Sequence, residues 1–331
     1  MRVKFWGVRG SIPSPCTTGQ IEEKIIRALM GAQEVDLSDR EAVEQYVRSL
    51  PLHQRGTYGG NTTCVEVRTA RNELIIIDAG TGLRGLGMEL MNTEFARGKG
   101  EAWMIFTHTH WDHVQGFPFF TPLYIPGNTF HLYGKHSDLE ERLRCQQDLR
   151  FFPAMLDERD LPTSATPYMK ANLEFIVPMP DPLELFAGRM TITTLDLDHP
   201  GVSYALRFEE DGKVFIFASD AEYKELTRAA YLQKYLDFYA GADVLVFDAQ
   251  YTLQETLYEK FNWGHSSAMI GVELASEAGV KTLVLFHHEP AYDDNKIREV
   301  IYGNSLRYLR HVPTAHKCEV IVAYEGLELT I

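Results

Sequence analysis

The chain has no run of roughly 18 apolar residues that could cross a bilayer. Its first ten residues, MRVKFWGVRG, lack the apolar core and small-residue cleavage site of a secretory leader. Both absences lead us to expect a cytoplasmic protein with no membrane partner. Cysteine is scarce: Cys16, Cys64, Cys145 and Cys318 lie far apart with no C-x-x-C pair. That spacing suits free thiols and argues against a disulfide framework or a Cys-rich zinc site. Positive charge is in deficit, with 32 Lys and Arg against 46 Asp and Glu for a net charge of -14. A general nucleic-acid binder usually carries a basic face, so polynucleotide binding is not expected. A small anionic substrate stays compatible, because two divalent cations would add four positive charges at one spot. There is no repeat of fixed period and no low-complexity linker.

What is present is enough apolar material for a large core: 331 residues, 45% of them hydrophobic. Short β-rich runs recur, each closing on a polar or glycine-bearing turn: CVEVRTA, ELIIID, AWMIF, TFHLYG, MTITTLDL, SYALRF, KVFIFA, DVLVFD, TLVLF and CEVIVAY. Several are continuously apolar, as in strands covered on both faces. Helical patterns separate them: DAEYKELTRAAYLQKYLDFYAG ends on Gly241, SSAMIGVELASEAG can be capped by Ser266 or Ser267 and stopped by Gly279, and NKIREVIYGNSLRYLR follows. Strands in two halves with helices outside predict an α/β protein of αββα sandwich type, one domain over residues 1–331.

Two segments read as insertions on that frame. Residues 17–56 place Ile21, Ile25, Ala28 and Leu29 at helical spacing, then Ser38 and Glu41 as a capping box, with Pro51 ending the run. This predicts a helical hairpin. Residues 138–180 read as a helix followed by a long ordered loop. Each segment is open to surface packing, a dimer contact in an expected homodimer, or a lid over a site.

The densest chemistry lies in FTHTHWDHVQGFPFF, where His108, His110, Asp112 and His113 fall within six residues at the end of the strand AWMIF. Imidazoles and carboxylates are zinc ligands, and a catalytic zinc site keeps one position for water. Four ligands on six residues crowd a single tetrahedron but divide naturally between two adjacent metals. His199, Asp220 and His287 each follow a predicted strand too, MTITTLDLD, KVFIFAS and TLVLF, so all arrive at the same kind of strand end. His288 is the alternative to His287, which directly continues its strand.

The pattern H-x-H-x-D-H resembles the signature of the metallo-β-lactamase fold. GVRGSIP, YGGNTTCVEV, IIIDAGTG, LDHPGVSYALRF, FASD, LVFDAQYT, GHSS and LVLFHHEP extend the likeness over most of residues 1–295. The set is similar to the phosphodiesterase branch, which holds ribonuclease Z, the phosphoribosyl cyclic phosphodiesterases and the anti-Pycsar cyclic-nucleotide hydrolases. The resemblance implies His108, His110 and His199 on a first metal, Asp112, His113 and His287 on a second, and Asp220 bridging them. It implies two divalent ions, with zinc expected and manganese or iron as alternatives.

Such a pair, about 3.5–4 Å apart, holds a bridging hydroxide for attack on phosphorus. The leaving alkoxide needs a proton. His265 in WGHSS, near a predicted helix start, is the candidate acid, and Asp248 at the end of DVLVFD can fix its tautomer, as in the ribonuclease Z pattern. Catalysis is thus assigned to His265, Asp248 and the ligand Asp112. Asp78 is read as a carboxylate orienting a ligand. Asn61 is read as facing the site or forming a turn, and GLRGLG at 82–87 as a weak glycine pattern. The function implied is hydrolysis of a small cyclic nucleotide or related phosphodiester. The alternatives are an RNA-processing endonuclease of ribonuclease Z type and a thioester or lactam hydrolase, the last having no need of His265.

Overall fold

The computed structural model describes residues 1–225, 227–313 and 317–331. Its strands are β1 (Arg2–Gly7), β2 (Cys64–Arg68), β3 (Leu74–Ile77), β4 (Glu101–Phe106), β5 (Thr129–Gly134), β6 (Asn172–Ile176), β7 (Leu183–Leu185), β8 (Met190–Leu197), β9 (Ser203–Glu210), β10 (Lys213–Ala218), β11 (Val244–Asp248), β12 (Thr282–Phe286), β13 (Glu319–Val322) and β14 (Glu328–Thr330). Among the described residues they form two seven-stranded sheets, in the orders β14-β1-β2-β3-β4-β5-β6 and β13-β12-β11-β10-β9-β8-β7.

Period-two alternation explains why these runs lie between other layers. Val3, Phe5, Ile75 and Ile77 of the first sheet face Phe215, Phe217, Val246, Val284 and Phe286 of the second, in one buried cluster. Their neighbours point outward. Leu74, Ile76 and Met104 pack under α4 (Leu83–Leu90; the earlier helices are α1, Thr18–Gly31, α2, Arg40–Ser49, and α3, Leu52–Arg55) together with Phe117 and Phe120. After α5 (Trp111–Val114) and α6 (Leu139–Gln146) come α7 (Ala229–Tyr239) and α8 (Ala268–Glu277), which cover the other outer face. There Ile216, Leu245, Phe247, Leu283 and Leu285 meet Tyr235, Tyr239, Ile270 and Leu274. The order helix, sheet, sheet, helix is the expected αββα sandwich.

Local details depart from the sequence reading in informative ways. The N-cap of α2 is Asp39, which accepts from the Glu41 amide, while Ser38 turns back to Asp36. The capping box occurs instead at Thr17 and Gln20, at the head of α1. Neither α1 nor α2 buries a residue. The helix expected from residue 220 starts only at Ala229; Leu226, within that span, lies outside the described residues. Residues 138–180 are not helix and loop alone, because Asn172–Ile176 forms β6 and pairs in parallel with β5. Its half-buried pattern at the sheet edge gives no strong apolar alternation to read.

The topology gathers strand ends. β3, β4 and β5 run parallel, as do β10, β11 and β12, with Asp248 paired to Phe286. The residues just after these strands therefore emerge beside one another at one end of the sandwich.

Candidate metal centre

Two donor groups form at that end. His108, His110 and His199 converge in one, and Asp112, His113, Asp220 and His287 in the other, with the donor atoms of each group within 4.8 Å of one another. Asp220 spans both. Its Oδ1 is 3.2 Å from His113 Nε2, and its Oδ2 is 3.3 Å from His287 Nε2, 3.8 Å from His108 Nε2 and 4.0 Å from His199 Nε2. Asp112 Oδ2 lies 3.1 Å from His287 Nε2 and 3.4 Å from His113 Nε2. All of these side chains are buried except His110.

Backbone conformation at the strand ends helps aim the donors. Asp78, Asp220 and His287 adopt φ of 58°, 61° and 61°, a left-handed region that non-glycine residues seldom occupy. Such outliers persist where the surroundings over-determine them, and they cluster at functional sites.

The polar partners of the donors fit a metal. His108 Nε2 is buried and meets no hydrogen-bond partner among the described residues, while His113 Nε2 faces only the carboxylates of Asp112 and Asp220. A buried imidazole nitrogen without a partner costs free energy, whereas a cation takes such a lone pair as its bond. The opposite ring nitrogens are fixed. His113 Nδ1 lies 2.7 Å from Asp78 Oδ2, His199 Nδ1 2.8 Å from the Gly264 carbonyl, His287 Nδ1 2.9 Å from Gln250 Oε1 and His108 Nδ1 3.2 Å from Thr107 Oγ1. Asp78 in turn accepts from the Thr107 amide and hydroxyl. Nitrogens held this way orient the Nε2 atoms toward one another.

The electrostatics are those of a crowded buried set. Burial, with neighbouring imidazoles, pushes His108 well below its usual range and His199 down to about 4. Burial acts the same way on His113 and His287, but the carboxylates of Asp220 and Asp112 outweigh it, lifting His113 well above the usual range and His287 to about 9. Burial would raise Asp112 and Asp220, yet the facing imidazoles hold both well below the ordinary carboxylate range. Burial raises Asp78 despite His113 and Thr107.

His265 adjoins this centre. Its Nδ1 is 2.8 Å from Asp248 Oδ2, and its ring stacks on His287 at 4.9 Å and 22°. Asp248 also accepts from the amides of Ala221 and Gln250, which fixes it between the Asp220 loop and its own strand end. His265 stands two residues before Ser267, the N-cap of α8.

Other residues singled out in the sequence lie elsewhere. His288 is outside the donor groups, with Nε2 against the Ala323 carbonyl. Asn61 bonds Glu325 through its side chain, and its carbonyl accepts from the Val8 and Arg9 amides. GLRGLG enters α4, where Gly87 lets Phe120 approach. Sequence reasoning missed Gln250, Thr107 and the Gly264 carbonyl. Only Gln250 carries a signal, its place two residues after Asp248.

A family model described as the beta-lactamase superfamily domain matches residues 73–288, a window that contains every donor above. The chain belongs to the β-lactamase superfamily. Within it, 85 residues are 34% identical to ribonuclease Z of Brevibacillus brevis, covering 26% of this chain and 24% of that one. A 118-residue stretch is 26% identical to the probable metallo-hydrolase YhfI of Bacillus subtilis, covering 36% and 43%. The matched stretches thus span less than half the length of these curated relatives. The crystal structure of YhfI superposes with a TM-score of 0.60 at 16% identity, over 99% of this chain and 98% of that one. A diphosphatase of the PhnP family gives 0.55 at 16%, over 100% and 97%. These likenesses show the metallo-β-lactamase fold.

Proposed function

We propose that this superfamily member is a dinuclear-metal phosphodiesterase acting on a small phosphodiester, with a cyclic nucleotide as the leading candidate. His108, His110 and His199 would hold one ion, Asp112, His113 and His287 the other, and Asp220 both. Zinc suits this donor set, and manganese or iron would also be accepted. When bound, such ions lower the pKa of water and neutralise phosphate charge.

The observation that carries the reading is the His265–Asp248 pair beside the donors. With Nδ1 held by Asp248, Nε2 is the nitrogen left to deliver a proton to the leaving alkoxide, and Asp248 stabilises the cationic ring. A lactam or thioester hydrolase has no need of that acid. Asp112 is itself positioned, since the Ser11 amide donates to its Oδ2 at 2.7 Å. The ribonuclease Z match favours a second reading, an RNA-processing endonuclease, against which the net charge of -14 weighs. We place the enzyme in the cytoplasm as a homodimer.

The test is a substrate panel on metal-loaded protein: bis-p-nitrophenyl phosphate, 3',5'- and 2',3'-cyclic mononucleotides, precursor tRNA, a thioester and a β-lactam. Hydrolysis of the cyclic nucleotides ahead of tRNA is expected. Turnover of the lactam or thioester alone would overturn the assignment.

A further inference from the structure

Glu222, two residues after Asp220, is a buried carboxylate outside both donor groups. Its side chain reaches across to the turn that leads into His265. Oε1 accepts from the Asn262 amide at 2.9 Å and Oε2 from the Gly264 amide at 3.1 Å. Those two residues hold φ of 65° and 82°, so both amides belong to left-handed positions of that turn. The backbone amide of Glu222 donates in turn to the Asp198 carbonyl at 2.8 Å, next to His199. One residue thus fastens three loops to one another, those of His199, Asp220 and His265. The turn it holds touches the centre twice. The Gly264 carbonyl lies 2.8 Å from His199 Nδ1, and His265 Nδ1 lies 2.8 Å from Asp248 Oδ2. The His199 and His265 rings meet edge to face at 5.2 Å and 66°. The Lys224 ammonium, 3.6 Å from Glu222 Oε2 and 3.1 Å from Asp198 Oδ1, faces the same carboxylate from its other side.

We infer that Glu222 is a positioning residue of the centre. By holding the amides of Asn262 and Gly264 it sets the 262–265 turn, so that the Gly264 carbonyl fixes His199 Nδ1 and His265 stands against Asp248. The phosphodiesterase reading supplies the role of His265, whereas the hold on His199 concerns metal affinity and stands apart from that reading. Left-handed backbone at a residue such as Asn262 persists only where its surroundings over-determine it. The carboxylate is that constraint. It suits the task because both of its oxygens accept, whereas a glutamine in its place offers one acceptor and turns an N–H donor onto the other amide. A buried amide that loses its acceptor drives the turn to shift, and the shift carries the Gly264 carbonyl and the His265 ring with it.

The test uses the zinc-loaded full chain with Glu222→Gln, which keeps the size and shape of the side chain. Lys224→Met is the control, since it removes the neighbouring ammonium and leaves both amides paired. In Glu222→Gln, zinc affinity measured by competition with a chelating dye should fall by roughly 10- to 100-fold, the usual effect of disturbing a ligand's support. The Nδ1–H signal of His199, followed by nuclear magnetic resonance in histidine-labelled protein, should exchange faster with solvent than in wild type. At saturating zinc, kcat should fall more for a diester with a ribose alkoxide leaving group than for bis-p-nitrophenyl phosphate, because a displaced acid matters most to the poor leaving group. Lys224→Met should match wild type on all three. A lower Tm in Glu222→Gln with affinity, exchange and kcat unchanged would make Glu222 a purely structural residue and overturn the inference, as would equal changes in Lys224→Met. Equal kcat losses on the two substrates would overturn the part that concerns His265. Where wild type hydrolyses no diester, the phosphodiesterase reading falls, and affinity and exchange still decide the hold on His199. Hydrolysis by wild type with neither of those moved by Glu222→Gln would keep that reading and remove the inference.

Discussion

Asp220 is where the two donor groups touch, since one carboxylate faces four imidazoles. Asp220→Ala should therefore lose metal as well as activity, checked by elemental analysis after desalting; two ions retained at wild-type affinity would rule out the bridge. His265 should separate from the ligands. His265→Ala should keep its metals and lower kcat by roughly 10² to 10⁴ on a ribose alkoxide, the usual range for a general acid. The loss should be smaller for bis-p-nitrophenyl phosphate, whose phenolate leaves without a proton, and equal losses on both would assign His265 to positioning. At this scale the donor cluster was legible because four of its members fall within six residues and the rest closely follow strands that the sequence marks. Gln250 and the Gly264 carbonyl were not, since each acts through a hydrogen bond to a histidine 37 or 65 residues away and leaves no local spacing to read.

The elements that carry these residues are short turns, and two glycines show how tightly the turns are packed. A Cβ on Gly10 would come within 2.4 Å of His287 Nδ1, and one on Gly264, where φ is 82°, within 2.3 Å of His199 Nδ1. GVRGSIP and WGHSS are thus motifs of close approach, in which a methyl group would push the His287 or His199 ring off its line. Gly10→Ala and Gly264→Ala should each weaken metal binding by about 10- to 100-fold, the usual effect of disturbing a ligand's support. Competition against a chelating dye measures this, with circular dichroism reporting an intact fold; unchanged affinity would mean that the rings shift without cost. The same scale limits what sequence could show. The central strands are read from continuous apolar runs, but β1, β6, β7 and β14 were not, being short, at or near sheet edges, or only partly buried. Asp39 replaced Ser38 as a cap because the two compete for one turn, and residue type alone does not rank them.

Across the whole molecule, the donor set ties the two sheets together: His108 to His113 follow β4 of the first, while His199, Asp220 and His287 follow β8, β10 and β12 of the second. Metal binding should stabilise the sandwich accordingly. At a hundredfold excess over Kd, one site contributes about 2.7 kcal/mol, and with an unfolding entropy of about 2.1 cal/mol/K per residue this chain should gain ~4 °C in Tm per site. The gain should depend on pH. His287, lifted to about 9 against about 6.5 when unfolded, is protonated in the metal-free fold at neutral pH. That proton's stabilisation is fully present below about 6.5 and is lost as pH rises through about 9. A metal ion must displace the same proton, so its affinity increases over the same interval. Both trends act together. The Tm difference between metal-loaded and chelator-treated protein should widen from pH 6.5 to 9 in scanning calorimetry, and a difference that narrows over that window would overturn proton displacement from the His113 and His287 side of the centre.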